Sequence, residues 1–302
     1  MRIAALRSGN RRALADAVTD LERLSPEAPA LLQAMQPYLG HALVIGITGP
    51  PGAGKSTLVN ALIGQARTAG RRIAVIAVDP SSPVSGGAIL GDRIRMTAAH
   101  DDEGVYVRSL ASGGYLGGLS PAAVRIIDAL DAAGFDLVAL ETVGTGQNEI
   151  DVAEIADVRV VVAAPGMGDD IQAMKSGLLE IADILVVNKG DREGAEQTVH
   201  QLMGALSIRA AMGAVPVLKT TATTGDGVEA LMAAILEAGR RVAGGDPLPR
   251  RRRRARYLIA RAASDLVRAA LEGDGLGLEG LADEVLSGLI TPTAAAKRLL
   301  ER

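Results

Sequence analysis

The stretch GITGPPGAGKST, residues 46–57, decides the fold of this chain. It begins inside an apolar run rich in Val and Ile (42–48) and is followed by a segment with helical character (58–68). Residues 49–56 match the pattern GxxxxGK[ST], which marks a phosphate-binding loop when a strand precedes it and a helix follows it. Both are indicated here, so we predict a phosphate loop; the alternative is a glycine-rich turn with an unrelated lysine.

The residue types of this loop suit a triphosphate. Phosphate oxygens need many donors in a small concave space; glycines let backbone N–H groups turn inward, and a helix N-terminus adds partial positive charge. Lys55 is predicted to reach the β- and γ-phosphates, and the Ser56 hydroxyl to bind Mg²⁺. Thr57 is predicted to contact the α-phosphate. The candidate nucleotide-binding residues of the loop are Gly49, Pro51, Gly52, Ala53, Gly54, Lys55, Ser56 and Thr57.

The rest of the chain predicts a layered architecture. Short runs rich in Val and Ile alternate with longer amphipathic segments, and several runs are apolar without alternation. Strands covered on both faces have this character, so we predict a doubly wound, mostly parallel α/β sheet. Helical spacing at both ends predicts an N-terminal helical extension (1–40), a nucleotide-binding domain (41–242) and a C-terminal helical dimerisation or partner region (243–302). The predicted strands are 42–48, 72–79, 105–110, 136–142, 158–164, 183–189 and 215–220.

A second motif favours GTP over ATP. The sequence NKGD, residues 188–191, follows the apolar run DILVV. The carboxylate of Asp191 can accept hydrogen bonds from guanine N1–H and the 2-amino group, and adenine lacks this donor pair. Asn188 is expected to contact the other edge of the ring or to brace the loop, and Lys189 to lie along the purine face. Thr221 and Ala222 follow the run 215–220 and are weaker candidates for a loop near guanine O6.

Acidic residues at strand ends indicate a magnesium site. Glu141 comes directly after DLVAL and precedes Gly144, whose N–H is a candidate for the γ-phosphate. Gln147 lies in the same loop, where it either orients the attacking water or faces a partner; the partner or structural role is slightly favoured. Asp79 ends another strand-like run, and Asp92 lies in the glycine-bearing segment that follows, as a second acid or as a helix N-cap.

Two arginines come directly after Asp92. Arg93 and Arg95 could each bring positive charge to the transition state or point at solvent. The solvent-facing role is favoured, and Arg95 is kept as a catalytic candidate. The candidate catalytic residues are therefore Lys55, Asp92, Arg95, Glu141 and Gln147, and the candidate metal ligands are Ser56, Asp79, Asp92 and Glu141.

The composition argues against several other functions. The 302 residues include no Cys and three His, so disulfides, thiolate chemistry and an imidazole metal site are not expected. A net charge of −3 gives no reason to expect nucleic acid as the partner, and the apolar stretches are too short to span a membrane. We expect a cytoplasmic protein. The basic run Arg250–Arg254 could bind phosphates or an acidic partner, but a solvated helix start is favoured.

Taken together, these motifs resemble those of the methylmalonyl-CoA mutase-associated GTPases, the MeaB/ArgK-type members of the SIMIBI class of P-loop GTPases. The resemblance is close over residues 40–240. It implies a Mg²⁺-dependent GTP hydrolase that acts as a G-protein chaperone of an adenosylcobalamin-dependent acyl-CoA mutase, gates cofactor loading and forms a homodimer. The stretches that carry it are GPPGAGKST, DPSSPVSGGAILGDRIRM, GGYLGGLS, ETVGTGQNE, PGMGDDIQAMKSGLLEIAD and VVNKGD, in this order.

The resemblance also implies three nucleotide-sensing segments, at about 79–96, 141–149 and 165–175. From its pattern alone the third would be an exposed helix start. No cobalamin-binding DxHxxG sequence occurs, so the mutase is expected to be a separate chain. Two alternatives remain: a kinase, as an older ArgK label proposes, and a metal-insertion GTPase, against which the lack of Cys argues. The polar positions of the third segment are Asp169, Gln172 and Lys175.

Overall fold

A parallel sheet forms the centre of the molecule. The computed structural model describes residues 2–79, 102–111, 119–142, 148–166, 177–207, 215–272 and 278–300. Within these ranges seven strands pair in the order β3-β2-β4-β1-β5-β6-β7, and each neighbouring pair is parallel. The strands are β1 (Leu43–Thr48), β2 (Ile73–Asp79), β3 (Val105–Ala111), β4 (Leu137–Thr142), β5 (Val158–Ala163), β6 (Ile184–Val187) and β7 (Val217–Lys219).

Helices precede, connect and follow the strands. The predicted doubly wound fold is confirmed, and each predicted strand overlaps one observed strand; β3 extends one residue beyond its predicted range. The described helices are α1 (Arg2–Arg7), α2 (Arg11–Arg23), α3 (Ala28–Met35), α4 (Lys55–Thr68), α5 (Pro121–Ala132), α6 (Asn148–Ile155), α7 (Leu178–Ile181), α8 (Ala195–Ser207), α9 (Val228–Ala243), α10 (Leu248–Glu272), α11 (Leu278–Leu286) and α12 (Pro292–Leu300).

Small and branched aliphatic residues form the core. Every residue of β1 and of β4 is buried, because helices cover both faces of the central strands. One large apolar cluster joins the sheet to α4 and α9, with Leu58, Leu62 and Ile235 among its members. A second cluster joins β5 and β6 to α8. The central sheet therefore holds its strand ends in fixed positions.

The N-terminal helices pack on this same body. Leu6, Val18 and Met35 are buried, and α2 packs along α5. Arg125 of α5 donates to the Leu21 carbonyl at 2.8 Å. Arg108 of β3 pairs with Glu22. Residues 1–254 accordingly form one compact unit.

A glycine lets α6 lie directly on β1. A Cβ built on Gly46 would be 2.1 Å from Val152 Cγ1 and 2.9 Å from the Ala156 Cβ, both closer than packed atoms approach. Gly46 therefore sets the distance between β1, the strand that leads into the phosphate loop, and α6. The prediction from the sequence did not identify this role.

The basic run at the start of α10 is not a solvated helix start, and that prediction is wrong for two of its members. Arg250 and Arg254 are buried with the carboxylate of Asp157, which is fully enclosed. Arg254 contacts Asp157 Oδ2 at 2.8 Å and donates to the Ile155 carbonyl at 3.0 Å. Arg253 donates to the Ala156 carbonyl. These arginines thus bind the C-terminal end of α6 and the two residues that follow it, whereas Arg252 is exposed.

Residues 255–302 form a second compact unit. It contains the remainder of α10 together with α11 and α12, and Arg298 of α12 pairs with Glu284 of α11 at 2.8 Å. Four large apolar side chains are highly exposed in this unit: Ile259, Leu266, Leu286 and Leu289. None of the described helices is both long enough and apolar enough to cross a membrane.

Candidate functional site

The candidate site lies at the carboxyl ends of the central strands. In open α/β sheets, ligands bind at this edge, beyond the strand ends. The phosphate loop follows β1, Glu141 is the penultimate residue of β4, and Asn188 follows β6. The topology therefore brings together three motifs that are up to 142 residues apart in the chain, from residue 49 to residue 191.

Two glycines allow the phosphate loop its shape. Gly49 has φ +137°, and a Cβ there would be 2.1 Å from the Val162 carbonyl oxygen. Gly54 has φ +88°, and a Cβ there would be 2.4 Å from Asn188 Nδ2. Helix α4 begins at Lys55 with Gly54 as its N-cap, which supplies no side-chain acceptor. The first N–H groups of α4 are thus suited to an anion.

Lys55 lies inside the loop. Its side chain is largely buried, at 6% exposure, and Nζ donates to the carbonyls of Gly49 at 2.8 Å and Pro50 at 3.0 Å. The loop therefore holds the ammonium group above the helix N-terminus, close to where phosphates would bind. Ala53 is buried and Thr57 is exposed at the start of α4.

Ser56 and Glu141 form a pair of oxygen donors. The Ser56 hydroxyl donates to Glu141 Oε1 at 2.6 Å, and Glu141 is 4% exposed at the end of β4. A hydroxyl and a carboxylate are hard oxygen ligands of the kind that Mg²⁺ prefers, so this donor set fits a magnesium ion. Among the described residues no group of three or more acidic or imidazole side chains could hold a metal, so the pair would need further ligands.

The remaining acidic candidates are only partly described. The backbone of Asp79 ends β2, the strand beside β4, in which Val78 pairs with Thr142. Asp79 therefore ends on the same sheet edge as Glu141, and its side chain lies outside the described part. Five predicted residues of the site lie outside the described ranges altogether: Asp92, Arg93, Arg95, Gly144 and Gln147.

Asn188 joins the guanine motif to the phosphate loop. Its Nδ2 donates to the carbonyls of Ala53 at 3.0 Å and Gly54 at 3.3 Å. Its Oδ1 accepts from the Thr220 hydroxyl and from the Ala222 N–H, both at 3.2 Å. All of the hydrogen-bonding groups of the Asn188 side chain thus have protein partners, which is the arrangement expected of a residue that braces the loop.

Lys189 and Asp191 are the other two predicted nucleotide-binding residues of the NKGD loop. Lys189 has a left-handed backbone with φ +59°, and its Nζ donates to the Gly52 carbonyl at 2.7 Å. The lysine stem therefore spans from the NKGD loop to the phosphate loop. Asp191 is exposed, which leaves its carboxylate open to a base. Thr221 is buried and pairs with Asp226 in an isolated bridge.

Three buried threonines adjoin candidate residues of the site although they were not candidates from the sequence. Thr220 orients Asn188 through its hydroxyl. Thr48 and Thr142 lie at the ends of β1 and β4, and the Thr142 hydroxyl donates to that of Thr48 at 3.1 Å. The one available signal was position, because each threonine directly adjoins a motif residue.

A parallel sheet with a phosphate loop after its central strand and an NKGD loop after β6 defines a guanine-nucleotide-binding protein of the P-loop class. The comparisons give the family. The model of the family described as methylmalonyl Co-A mutase-associated GTPase MeaB matches residues 14–274, and the chain belongs to this family. It is a GTP hydrolase.

Known relatives resemble this chain over most of its length. A protein of Pyrococcus horikoshii that is named as a GTPase is 43% identical over 99% of this chain and 96% of its own length. The mitochondrial methylmalonic aciduria type A homolog of the mouse is 33% identical over 73% of this chain and 58% of its own length. The crystal structure of a LAO/AO transport system kinase has a TM-score of 0.76 and 29% identity, over 99% of this chain and 95% of that one.

Proposed function

We propose that this GTPase depends on Mg²⁺ and acts as a G-protein chaperone for an adenosylcobalamin-dependent acyl-CoA mutase. In this proposal it works in the cytoplasm as a homodimer, and the mutase is a separate chain. It gates loading of the cofactor and protects the mutase. The observation that carries the hydrolytic part is the convergence of Lys55, Ser56 and Glu141 at one sheet edge.

Hydrolysis is proposed to proceed by in-line attack of water on the γ-phosphate, with positioning and charge neutralisation as the main effects. The N–H groups at the start of α4 bind the phosphates, and Lys55 leaves the loop carbonyls to meet the β- and γ-phosphates. Ser56 and Glu141 would hold Mg²⁺, which when bound neutralises phosphate charge. Asp79 and Asp92 are proposed as further ligands or water-mediated ligands.

The other predicted residues keep proposed roles. Gly144 offers its N–H to the γ-phosphate, Gln147 faces a partner or orients water, and Arg95 is a candidate for charge stabilisation. Asp191 reads guanine, with Asn188, Lys189, Thr221 and Ala222 shaping the base region. Because the sequence offers no clear arginine finger, slow intrinsic turnover that a partner raises is expected.

The proposed mutase partner is supported by two names. The family is described by its association with methylmalonyl Co-A mutase, and the mouse relative is named for methylmalonic aciduria. The exposed apolar side chains of residues 255–302 give the C-terminal unit a surface that suits burial in a dimer.

The hydrolytic part is tested with Lys55→Ala. Loss of the ammonium group should lower the GTP hydrolysis rate by at least about 100-fold, since it removes a charge that acts on the transferring phosphate. Phosphate release under single-turnover conditions is the measurement. Lys297→Ala, at an exposed position in α12, is the matched control and should hydrolyse GTP at the wild-type rate. Undiminished hydrolysis by Lys55→Ala would contradict the assignment of the loop.

The chaperone part needs the partner. Gel filtration of the full chain with the cobalamin-dependent mutases of the same host, in GDP and in a non-hydrolysable GTP analogue, should give a complex whose amount depends on the nucleotide. Absence of a complex in both nucleotides would count against the mutase partner while leaving GTP hydrolysis intact.

A kinase is the second candidate, because the solved relative at 29% identity carries a kinase name. Measuring the phosphate released from GTP distinguishes hydrolysis from phosphoryl transfer to an acceptor. A hydrolase releases one phosphate per GTP whether or not an acceptor is added, whereas a kinase transfers it to the acceptor and releases less.

A further inference from the structure

We propose that Thr142 is a positioning residue for GTP hydrolysis, acting through Glu141. Its hydroxyl and that of Thr48 form a buried pair that holds the carboxyl end of β4 to the carboxyl end of β1. The proposal deepens the proposed function, since it rests on Glu141 serving the magnesium site.

The pair lies where two functional segments leave the sheet. Glu141 is opposite Ile47 in the register of β1 and β4, so Thr142 and Thr48 form the next position along this edge. Thr48 is followed by Gly49, the first residue of the phosphate loop, and Thr142 directly follows Glu141. Each hydroxyl therefore adjoins a residue of the candidate site.

The two side chains lie on the opposite face of the sheet from Glu141 and Ser56. Side chains alternate along a strand, so Glu141 points to the face of α4, where it meets Ser56, and Thr142 points to the other face. That other face is the one on which Gly46 admits α6. Thr142 therefore does not share a face with Glu141, and it acts on Glu141 through the strand.

The pair is fully enclosed, with Thr48 at 0% and Thr142 at 1% exposure. A buried hydroxyl without a partner is costly, so each of the two depends on the other. The oxygens are 3.1 Å apart. Two methyl groups in their place would pack no closer than about 3.5–4.0 Å, so valines would press the two strand ends apart.

Such a displacement matters because Ser56 and Glu141 contact at 2.6 Å. A shift of a few tenths of an ångström at the end of β4 lengthens this contact and misplaces the carboxylate. Binding of the phosphates to the N–H groups of α4 does not require Glu141. The pair therefore affects the magnesium site and hydrolysis more than nucleotide affinity.

The test compares Thr142→Val, Thr142→Ser and the double variant Thr48→Val/Thr142→Val in the full chain. Fluorescent GDP is titrated without Mg²⁺, and its release is then followed against Mg²⁺ concentration. Thr142→Val should bind GDP as the wild type does without Mg²⁺, and should need about tenfold more Mg²⁺ to slow release. Its single-turnover hydrolysis should fall by a similar factor, and Thr142→Ser should restore both.

The double variant separates positioning from stability. It leaves no unpaired hydroxyl, so its urea unfolding curve should lie closer to the wild type than that of Thr142→Val. Its hydrolysis should stay impaired, because two valines still keep the strand ends apart. Thr198→Val, which removes a buried hydroxyl of α8 away from the site, is the control and should hydrolyse normally.

The outcomes are distinguishable. Wild-type hydrolysis and Mg²⁺ dependence in Thr142→Val, or hydrolysis that recovers along with stability in the double variant, would overturn the positioning role. If GDP release from the wild type ignored Mg²⁺, the magnesium part of the proposed function would fail. The positioning role of Thr142 through Glu141 would fail with it, whereas a wild type that responds to Mg²⁺ together with an unaffected Thr142→Val would overturn the positioning role alone.

Discussion

At the scale of single residues, the candidate site combines buried side chains with exposed ones. Lys55 and Glu141 are buried and bonded within the protein, whereas Asp191 is exposed. Buried groups must keep their partners or pay for desolvation, so they fix geometry. An exposed carboxylate is available to a ligand, and selectivity for the base is therefore expected to come from Asp191.

Asp191→Asn should weaken selectivity for guanine. The amide offers one acceptor and two donors where the carboxylate offers acceptors alone, so the guanine donor pair loses a partner. Preference for GTP over ATP is expected to fall by at least about 100-fold, measured by competition against fluorescent GDP.

Glu193→Gln, an exposed acid two residues further on, is the matched control and should keep the wild-type preference. An Asp191→Asn protein with unchanged preference would refute the reading role.

At the scale of elements, the contact of α6 with β1 depends on a missing side chain. Gly46→Ala forces a methyl group to 2.1 Å from Val152 Cγ1. This overpacking should lower the free energy of unfolding by about 1–3 kcal/mol. Urea denaturation measures the change.

Gly64→Ala is the control for this substitution. Gly64 lies in α4 with no atom within 4 Å of a built Cβ. Alanine there should raise the free energy of unfolding by about 0.5–1 kcal/mol, because it restricts the unfolded chain and suits a helix. Equal effects of the two alanines would contradict the packing of α6 on β1.

The arginines of α10 give a second prediction at this scale. Arg254→Ala leaves the enclosed Asp157 with fewer partners and the Ile155 carbonyl without its donor, so the free energy of unfolding should fall by about 3–5 kcal/mol. Arg252→Ala, two residues earlier and exposed, should change it by less than about 0.5 kcal/mol. If the urea unfolding curves of the two variants coincided, the basic run Arg250–Arg254 would be solvated rather than buried.

The elements and the loops were predictable from the sequence to different degrees. Unbroken apolar runs marked the strands, because burial on both faces removes polar residues from the pattern. The run Arg250–Arg254 was misjudged, since five adjacent charges look solvated and their partner, Asp157, lies about 100 residues away in the chain. The role of Gly46 was hidden because a glycine inside a strand gives no pattern of its own.

The residues of the candidate site were also predictable from the sequence to different degrees. The phosphate loop and the NKGD motif are local in sequence, so their spacing revealed them. The bonds of Asn188 to Ala53 and to Thr220 connect segments that the sequence keeps apart, and local patterns carry no information about such contacts.

At the scale of the whole molecule, stability responds to pH through a partly buried acid. Burial raises the pKa of Asp128, on α5, to about 6 from an ordinary 3.8; Arg254 opposes the shift and Asp131 adds to it. Between these values the folded chain holds a proton that the unfolded chain has released. The contribution of Asp128 to the free energy of unfolding should therefore fall as the pH rises from about 4 to 6.

Asp128→Asn should remove this dependence of the free energy of unfolding on pH. Relative to the wild type, its free energy of unfolding should increase across the same pH window, by on the order of 2 kcal/mol, because the amide stays neutral. Urea denaturation at a series of pH values gives the difference. Asp16→Asn, at an exposed position of α2, should track the wild type throughout. A constant offset between Asp128→Asn and wild type would contradict the assigned shift.

The bridge made by Asn188 has a consequence for how such a pocket can change over evolution. One amide holds the loop beneath the phosphates with its nitrogen and the loop around the base with its oxygen. A substitution at Asn188 would therefore disturb both loops at once. A change around the base that requires a different residue at position 188 would thus need a compensating change in the phosphate loop.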